Sequence, residues 1–107
     1  YLDCAMYQRS GDLFLGVPFN ISSTALLVYI ISNITGIFPG KISIMIGDAH
    51  IYSTHMKQVK EQLSRIPLKF PSLKIKNKLK CIEDLKYEDI ELIDYSPHPA
   101  IKADMVA

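Results

Sequence analysis

A chain of 107 residues that is 49% hydrophobic and 21% charged has room for one small globular domain and is too apolar to stay disordered. Its formal net charge is +1. With Lys and Arg spread along the chain, that charge excludes the field by which DNA or an anionic membrane is recognised, so neither is expected as a partner and any anion must be met by local groups.

Residues 1 to 9 alternate apolar and polar positions and predict a strand, closed by turn chemistry in Arg9-Ser10-Gly11-Asp12. Because the chain opens on Tyr1 in what reads as mid-strand, it is expected to be part of a longer protein. In Gly16-Val17-Pro18-Phe19-Asn20, Pro18 suits the start of a helix and Asn20 can cap it. The apolar run from Ile21 to Phe38 is broken by Ser22, Ser23, Thr24, Ser32, Asn33 and Thr35. It therefore predicts a buried helix rather than a membrane span, ending at Gly36 as C-terminal cap. A helix apolar on nearly all sides needs more cover than this chain can provide, so further partners, an upstream segment or a second subunit, are expected.

Pro39-Gly40 predicts a turn, and the β-branched run Ile42 to Ile46 a buried strand continuing toward Tyr52. Ser53 or Thr54 can cap a second helix whose apolar stripe is Met56, Val59, Leu63 and Ile66, placing it on the surface. After Pro67 and Pro71, Leu73 to Lys76 alternates as a half-exposed strand, and Tyr87 to Tyr95 is a last strand candidate before Ser96-Pro97-His98-Pro99. The sum is an α+β fold with a mixed sheet packed against a long buried helix, without the regular alternation of a doubly wound fold.

Several polar residues sit at element boundaries. Arg9, with Gln8, the Ser10 hydroxyl and the flexible Gly11 backbone, has the fork geometry to grip a phosphate; the plainer alternative is a structural ion pair, with Asp12 as its partner or as a turn residue. If the strand continues, His50 and Tyr52 share a side and could hold sugar hydroxyls, or form a polar pair satisfied by backbone. The Asn20 amide offers a donor and an acceptor side by side, which suits an imide edge such as that of uracil as well as a helix cap. Neither Cys4 nor Cys81 has an adjacent base, and their spacing suits no metal, so both are expected to be inert thiols of a reducing compartment, the cytoplasm. His98 is expected to pack between its prolines, and His55 to lie on a helix surface or interface.

Taken in order, Tyr7-Gln8-Arg9-Ser10-Gly11-Asp12, Leu15-Gly16-Val17-Pro18-Phe19-Asn20-Ile21, Gly47-Asp48-Ala49-His50-Ile51-Tyr52 and Pro97-His98-Pro99 resemble the thymidylate synthase family along the whole chain. The resemblance implies the C-terminal portion of a single thymidylate synthase domain, residues 1–107, making thymidylate from deoxyuridylate with 5,10-methylenetetrahydrofolate as co-substrate. It implies that Arg9 binds the phosphate with Ser10, Gly11 and Gln8, that Asn20 bonds the uracil edge, and that His50 and Tyr52 hold the 3′-hydroxyl. Asp12 would contact the pterin, Gly16 would let backbone approach the ligands, Phe19 would wall the pocket, and Met105 to Ala107 would fold over bound ligands.

The catalytic residue is then none of these: in the family the nucleophile is a cysteine in a Pro-Cys-His setting upstream of this segment, so the chain alone is expected to be inactive. The resemblance also implies a homodimer through the sheet face, each subunit lending arginines to its partner's phosphate site. One departure stands in Ile66-Pro67-Leu68-Lys69-Phe70-Pro71, which lacks an acidic residue and an extra proline that many relatives carry. Two alternatives remain: a hydroxymethylase-type relative, and a non-catalytic nucleotide-binding fragment. Binding of Arg9, Asn20 and His50 to one nucleotide requires that they converge on one face.

Overall fold

The structure is a computed structural model that describes residues 1–106. Strand β1 (Leu2–Asp12), helix α1 (Val17–Thr35) and strand β2 (Pro39–His50) come first; a 3-10 turn (Ser53–His55) leads into helix α2 (Met56–Leu63), and strands β3 (Ser72–Ile75) and β4 (Ile90–Ile93) follow. This is an α+β chain. Its strands form two separate two-stranded sheets, β1 with β2 parallel and β3 with β4 antiparallel. The expected single mixed sheet is therefore corrected to two pairs, and β1-α1-β2 is a crossover unit of the kind that alternating folds use.

The strands run further than local turn chemistry suggests. Ser10, Gly11 and Asp12 pair with Asp48, Ala49 and His50, so Arg9-Ser10-Gly11-Asp12 extends β1 instead of closing it. Ladder hydrogen bonds to a neighbouring strand outweigh the weak turn preference of these residues. Likewise Pro39 begins β2, because proline lacks only a donor and is tolerated at the first residue of a strand.

Helix α1 starts three residues before the expected cap. Gly16 is its N-cap, Pro18 lies in the first turn, and Asn20 is inside the helix. Gly36 ends it as expected, at φ 76°, where its N–H reaches the Ser32 carbonyl at 2.8 Å. Only a residue without a side chain takes that left-handed conformation without strain. Beyond the cap, the Lys78 ammonium reaches the Asn33 and Ile34 carbonyls, and the Asn33 amide bonds the backbone of Asn77 and Leu79. These contacts tie the loop after β3 to the helix end.

The expectation of a helix buried on most sides is corrected. Only Val17, Val28 and Ile30 are buried in α1, whereas Phe19, Ile21, Leu27 and Tyr29 are exposed. A two-stranded sheet is too narrow to cover a helix that is apolar all round. By length and composition α1 also passes for a membrane span, yet it packs on both strands of the first sheet, with the Thr24 hydroxyl 3.2 Å from the Met6 sulfur. The expected apolar stripe of the second helix is largely open as well: Leu63, the last residue of α2, and Ile66, beyond its end, are both 79% exposed, while Val59 is half-buried.

Candidate functional site

Strand alternation decides which side chains can meet. Leu2, Cys4, Met6 and Gln8 are half-buried on the helix side of β1, and Asp3, Ala5, Tyr7 and Arg9 are exposed on the other. On the helix side, the Gln8 amide nitrogen donates to the Ser10 carbonyl and to the Asn20 carboxamide oxygen, both at 2.9 Å. A carbonyl can only accept, so the Ser10 contact fixes which end of the Gln8 amide is nitrogen. The Asn20 oxygen is thereby turned toward Gln8, leaving the Asn20 amide N–H groups to donate elsewhere. The Gln8 oxygen is buried and has no partner among the described residues.

Where β1 ends, Asp12 organises the approach to α1. Its carboxylate accepts from the Phe14 and Leu15 amides at 3.0 and 3.3 Å, and its carbonyl accepts from Gly16 at 3.0 Å. The chain is thus reversed over four residues and Phe19 is delivered one turn into the helix, beside Asp12. These groups line an open cavity of about 490 Å³, walled by Asp12, Leu15, Gly16, Phe19, Tyr52, Ala103, Met105 and Val106. Apolar walls with one carboxylate and one phenol suit a flat heteroaromatic ligand that carries a few polar groups.

His50 and Tyr52 stand at the end of β2. Their rings meet edge to face at 5.1 Å, and the His50 Nδ1 lies 3.2 Å from the Asp48 carbonyl. Tyr52 also touches the His55 ring, at 5.7 Å, and Phe14 approaches His55 at 5.6 Å from another side. His55, expected on a helix surface or at an interface, is not on the surface: it is 1% exposed, the most buried large side chain among the described residues, and its Nε2 lies 2.7 Å from the Asp104 carbonyl. Nothing local in the sequence signals this, since the partner is 49 residues away.

Arg9 departs from the expected convergence. It is exposed and lines a separate groove with Tyr7, Gln8, Met45, Ile46 and Gly47. Asp12, Gly16, Phe19 and Tyr52 therefore share one cavity, Gln8 and Asn20 are bonded to each other, and Arg9 lines a groove outside that cavity, next to Gln8. Among the residues expected at the folate side, Ala107 lies outside the described residues. Neither thiol is suited to attack. Cys4 is half-buried beneath α1, and a hydrogen bond to Glu83 is the chief cause that holds the Cys81 thiol above its ordinary value, suppressing the thiolate.

The comparisons with known proteins agree with one another. The thymidylate synthase family model matches residues 1–107. A thymidylate synthase from Mycoplasma mobile is 57% identical over 102 residues, covering 95% of this chain and 35% of that protein. The human thymidylate synthase is 53% identical over 104 residues, covering 97% and 33%. A bifunctional dihydrofolate reductase-thymidylate synthase from Leishmania major is 50% identical over 104 residues, covering 97% and 20%. The chain thus spans about a third of the length of the first two relatives.

Proposed function

The chain belongs to the thymidylate synthase family, and from that premise we propose that it supplies part of the nucleotide and folate sites of an enzyme that methylates deoxyuridylate reductively, with 5,10-methylenetetrahydrofolate as co-substrate. The observation that carries this reading is the shared cavity of Asp12, Gly16, Phe19 and Tyr52, closed on one side by Met105 and Val106. A pterin packs against Phe19 there, and its N–H groups donate to the Asp12 carboxylate.

Uracil is read by Asn20. Because Gln8 holds the Asn20 oxygen, the outward N–H donates to an acceptor on the base, as the carbonyl at C4 provides and the amino group of cytosine does not. His50 and Tyr52 take the 3′-hydroxyl. Arg9 and Ser10 serve the phosphate at the end of β1, and the exposed position of Arg9 leaves room for cationic groups of a second subunit beside it. The same open sheet face, with Tyr7 81% exposed and Met45 beside it, supports a homodimer packed through the sheet. The bare apolar surface of α1 supports cover by the rest of a longer enzyme.

The reacting thiolate comes from a cysteine outside this chain. It adds to C6 of the uracil ring, and C5 then attacks the methylene of the folate. Loss of the C5 proton to a base and cleavage of the methylene–nitrogen bond free tetrahydrofolate and leave an exocyclic methylene on C5. Hydride transfer from that folate then makes the methyl group and dihydrofolate, while the thiolate departs from C6. The chain alone is inactive on this account, and the enzyme is cytoplasmic. A complete protein containing this chain, given deoxyuridylate and methylenetetrahydrofolate, is expected to form thymidylate and dihydrofolate in equal amounts. A hydroxymethylated product without dihydrofolate, or no product, overturns the proposal.

A further inference from the structure

We infer that His55 is a positioning residue: its buried imidazole clamps the backbone at Asp104 and thereby sets where Met105 and Val106 stand against the cavity. This rests on the proposed reading of that cavity as the folate site.

Segment 97–106 runs antiparallel to α2 and is held by a series of side-chain bonds to backbone carbonyls. His98 Nε2 reaches the Ile66 carbonyl at 2.8 Å, Arg65 Nη1 donates to Pro99 at 2.6 Å, Gln58 Nε2 to Lys102 at 3.4 Å, and His55 Nε2 to Asp104 at 2.7 Å. The first three are solvent-exposed, so water competes for each partner and the bonds are individually weak. The last is the exception. Asp104 is exposed, but the ring that holds its carbonyl is not: His55 is 1% exposed and wedged against Phe14 and Tyr52, so the donor side of this bond is shielded from water and an abandoned imidazole N–H would stay unpaired.

The carbonyl of Asp104 only accepts, so the imidazole carries its proton on Nε2; the Nδ1 has no partner among the described residues. The ring is thus held by one bond and two aromatic contacts, all of which converge on the segment's last clamp. The next two residues are Met105 and Val106, which wall the cavity with Ala103. Without the clamp, the nearest tether is the long, exposed bond at Lys102. The cavity wall would then hang from a free stretch of backbone. Since the bond goes to the main chain, it fixes position regardless of which side chain residue 104 carries.

The test uses a complete protein containing this chain, with two substitutions that both fill the space. His55→Gln keeps an N–H donor at similar reach; His55→Met keeps the volume and removes the donor. Proteinase K cleavage within residues 103–106, without ligands, is expected to be about tenfold faster in His55→Met and within about twofold of the parent in His55→Gln, as loss of one hydrogen bond from a buried donor implies. In turnover, His55→Met is expected to raise the folate KM about tenfold while the deoxyuridylate Kd moves less than about twofold, and His55→Gln to recover most of the loss. Equal cleavage of the two variants, whether fast or slow, overturns the clamp. So does a deoxyuridylate Kd that shifts as far as the folate KM. The cleavage arm needs no substrate, so a parent protein that binds no folate would sink the proposed function and leave the clamp to be decided by proteolysis.

Discussion

Gly11→Ala is the sharpest stability perturbation available near the site. Gly11 is buried in the paired end of β1, and a methyl group there would stand 2.9 Å from a Val17 methyl, 3.1 Å from an Ile46 methyl and 3.3 Å from the Gln8 amide nitrogen. None of the three can step aside cheaply. Val17 and Ile46 are β-branched and their methyls move only with χ1 or with the backbone, and Gln8 is held by two hydrogen bonds. Overpacking of this kind costs about 1 to 3 kcal/mol. In a complete protein of the family's length this corresponds to a Tm lower by roughly 2 to 10 °C. Because the displaced Gln8 orients Asn20, deoxyuridylate affinity should fall along with stability. Differential scanning calorimetry and equilibrium binding on the purified variant check both. A Tm within about 1 °C of the parent would refute the packing described here.

Two further outcomes follow from exposed features. Arg9→Ala should raise the deoxyuridylate KM by about tenfold to a hundredfold, the loss expected for one charge-assisted phosphate contact, with the Tm unchanged; a lowered Tm with unchanged KM would make Arg9 a structural residue. Asp84 accepts from the Lys80 and Cys81 amides at 3.0 and 3.3 Å, bonds that hold its carboxyl below the ordinary carboxylate value. Its contribution is therefore present above the unfolded-state value and lost as pH falls through the lower folded value. The Lys80 and Cys81 amide resonances should titrate together in that acid window, and titration in the ordinary carboxylate range would contradict the assignment.

Where local chemistry governs an element, the sequence announces it. Gly36 stops α1 because the left-handed turn there has few other solutions, and Pro18 marks a first helical turn. Elements that depend on distant partners are hidden. Arg9 to Asp12 carries every sign of a turn, yet residues 48 to 50 pull it into the sheet. Asn20 looks like a cap until the helix is seen to begin at Val17, and only then is its amide free to meet Gln8 across the strand. The all-round apolarity of α1 was visible, but its burial is not satisfied within this chain, since covering groups are not a property of the helix itself. His55 gave no hint at all: a histidine ahead of an amphipathic helix reads as surface, and only the return of residues 97 to 106 along α2 buries it.

Base selection turns on an amide whose orientation Gln8 dictates. Asn20→Asp in a complete protein, assayed with deoxyuridylate and deoxycytidylate, measures this most directly through the ratio of the two kcat/KM values. A carboxylate still accepts from Gln8 but can also accept from the cytosine amino group, so the ratio should fall by at least about tenfold in favour of deoxycytidylate. A preference for deoxyuridylate left unchanged would contradict the role given to Asn20.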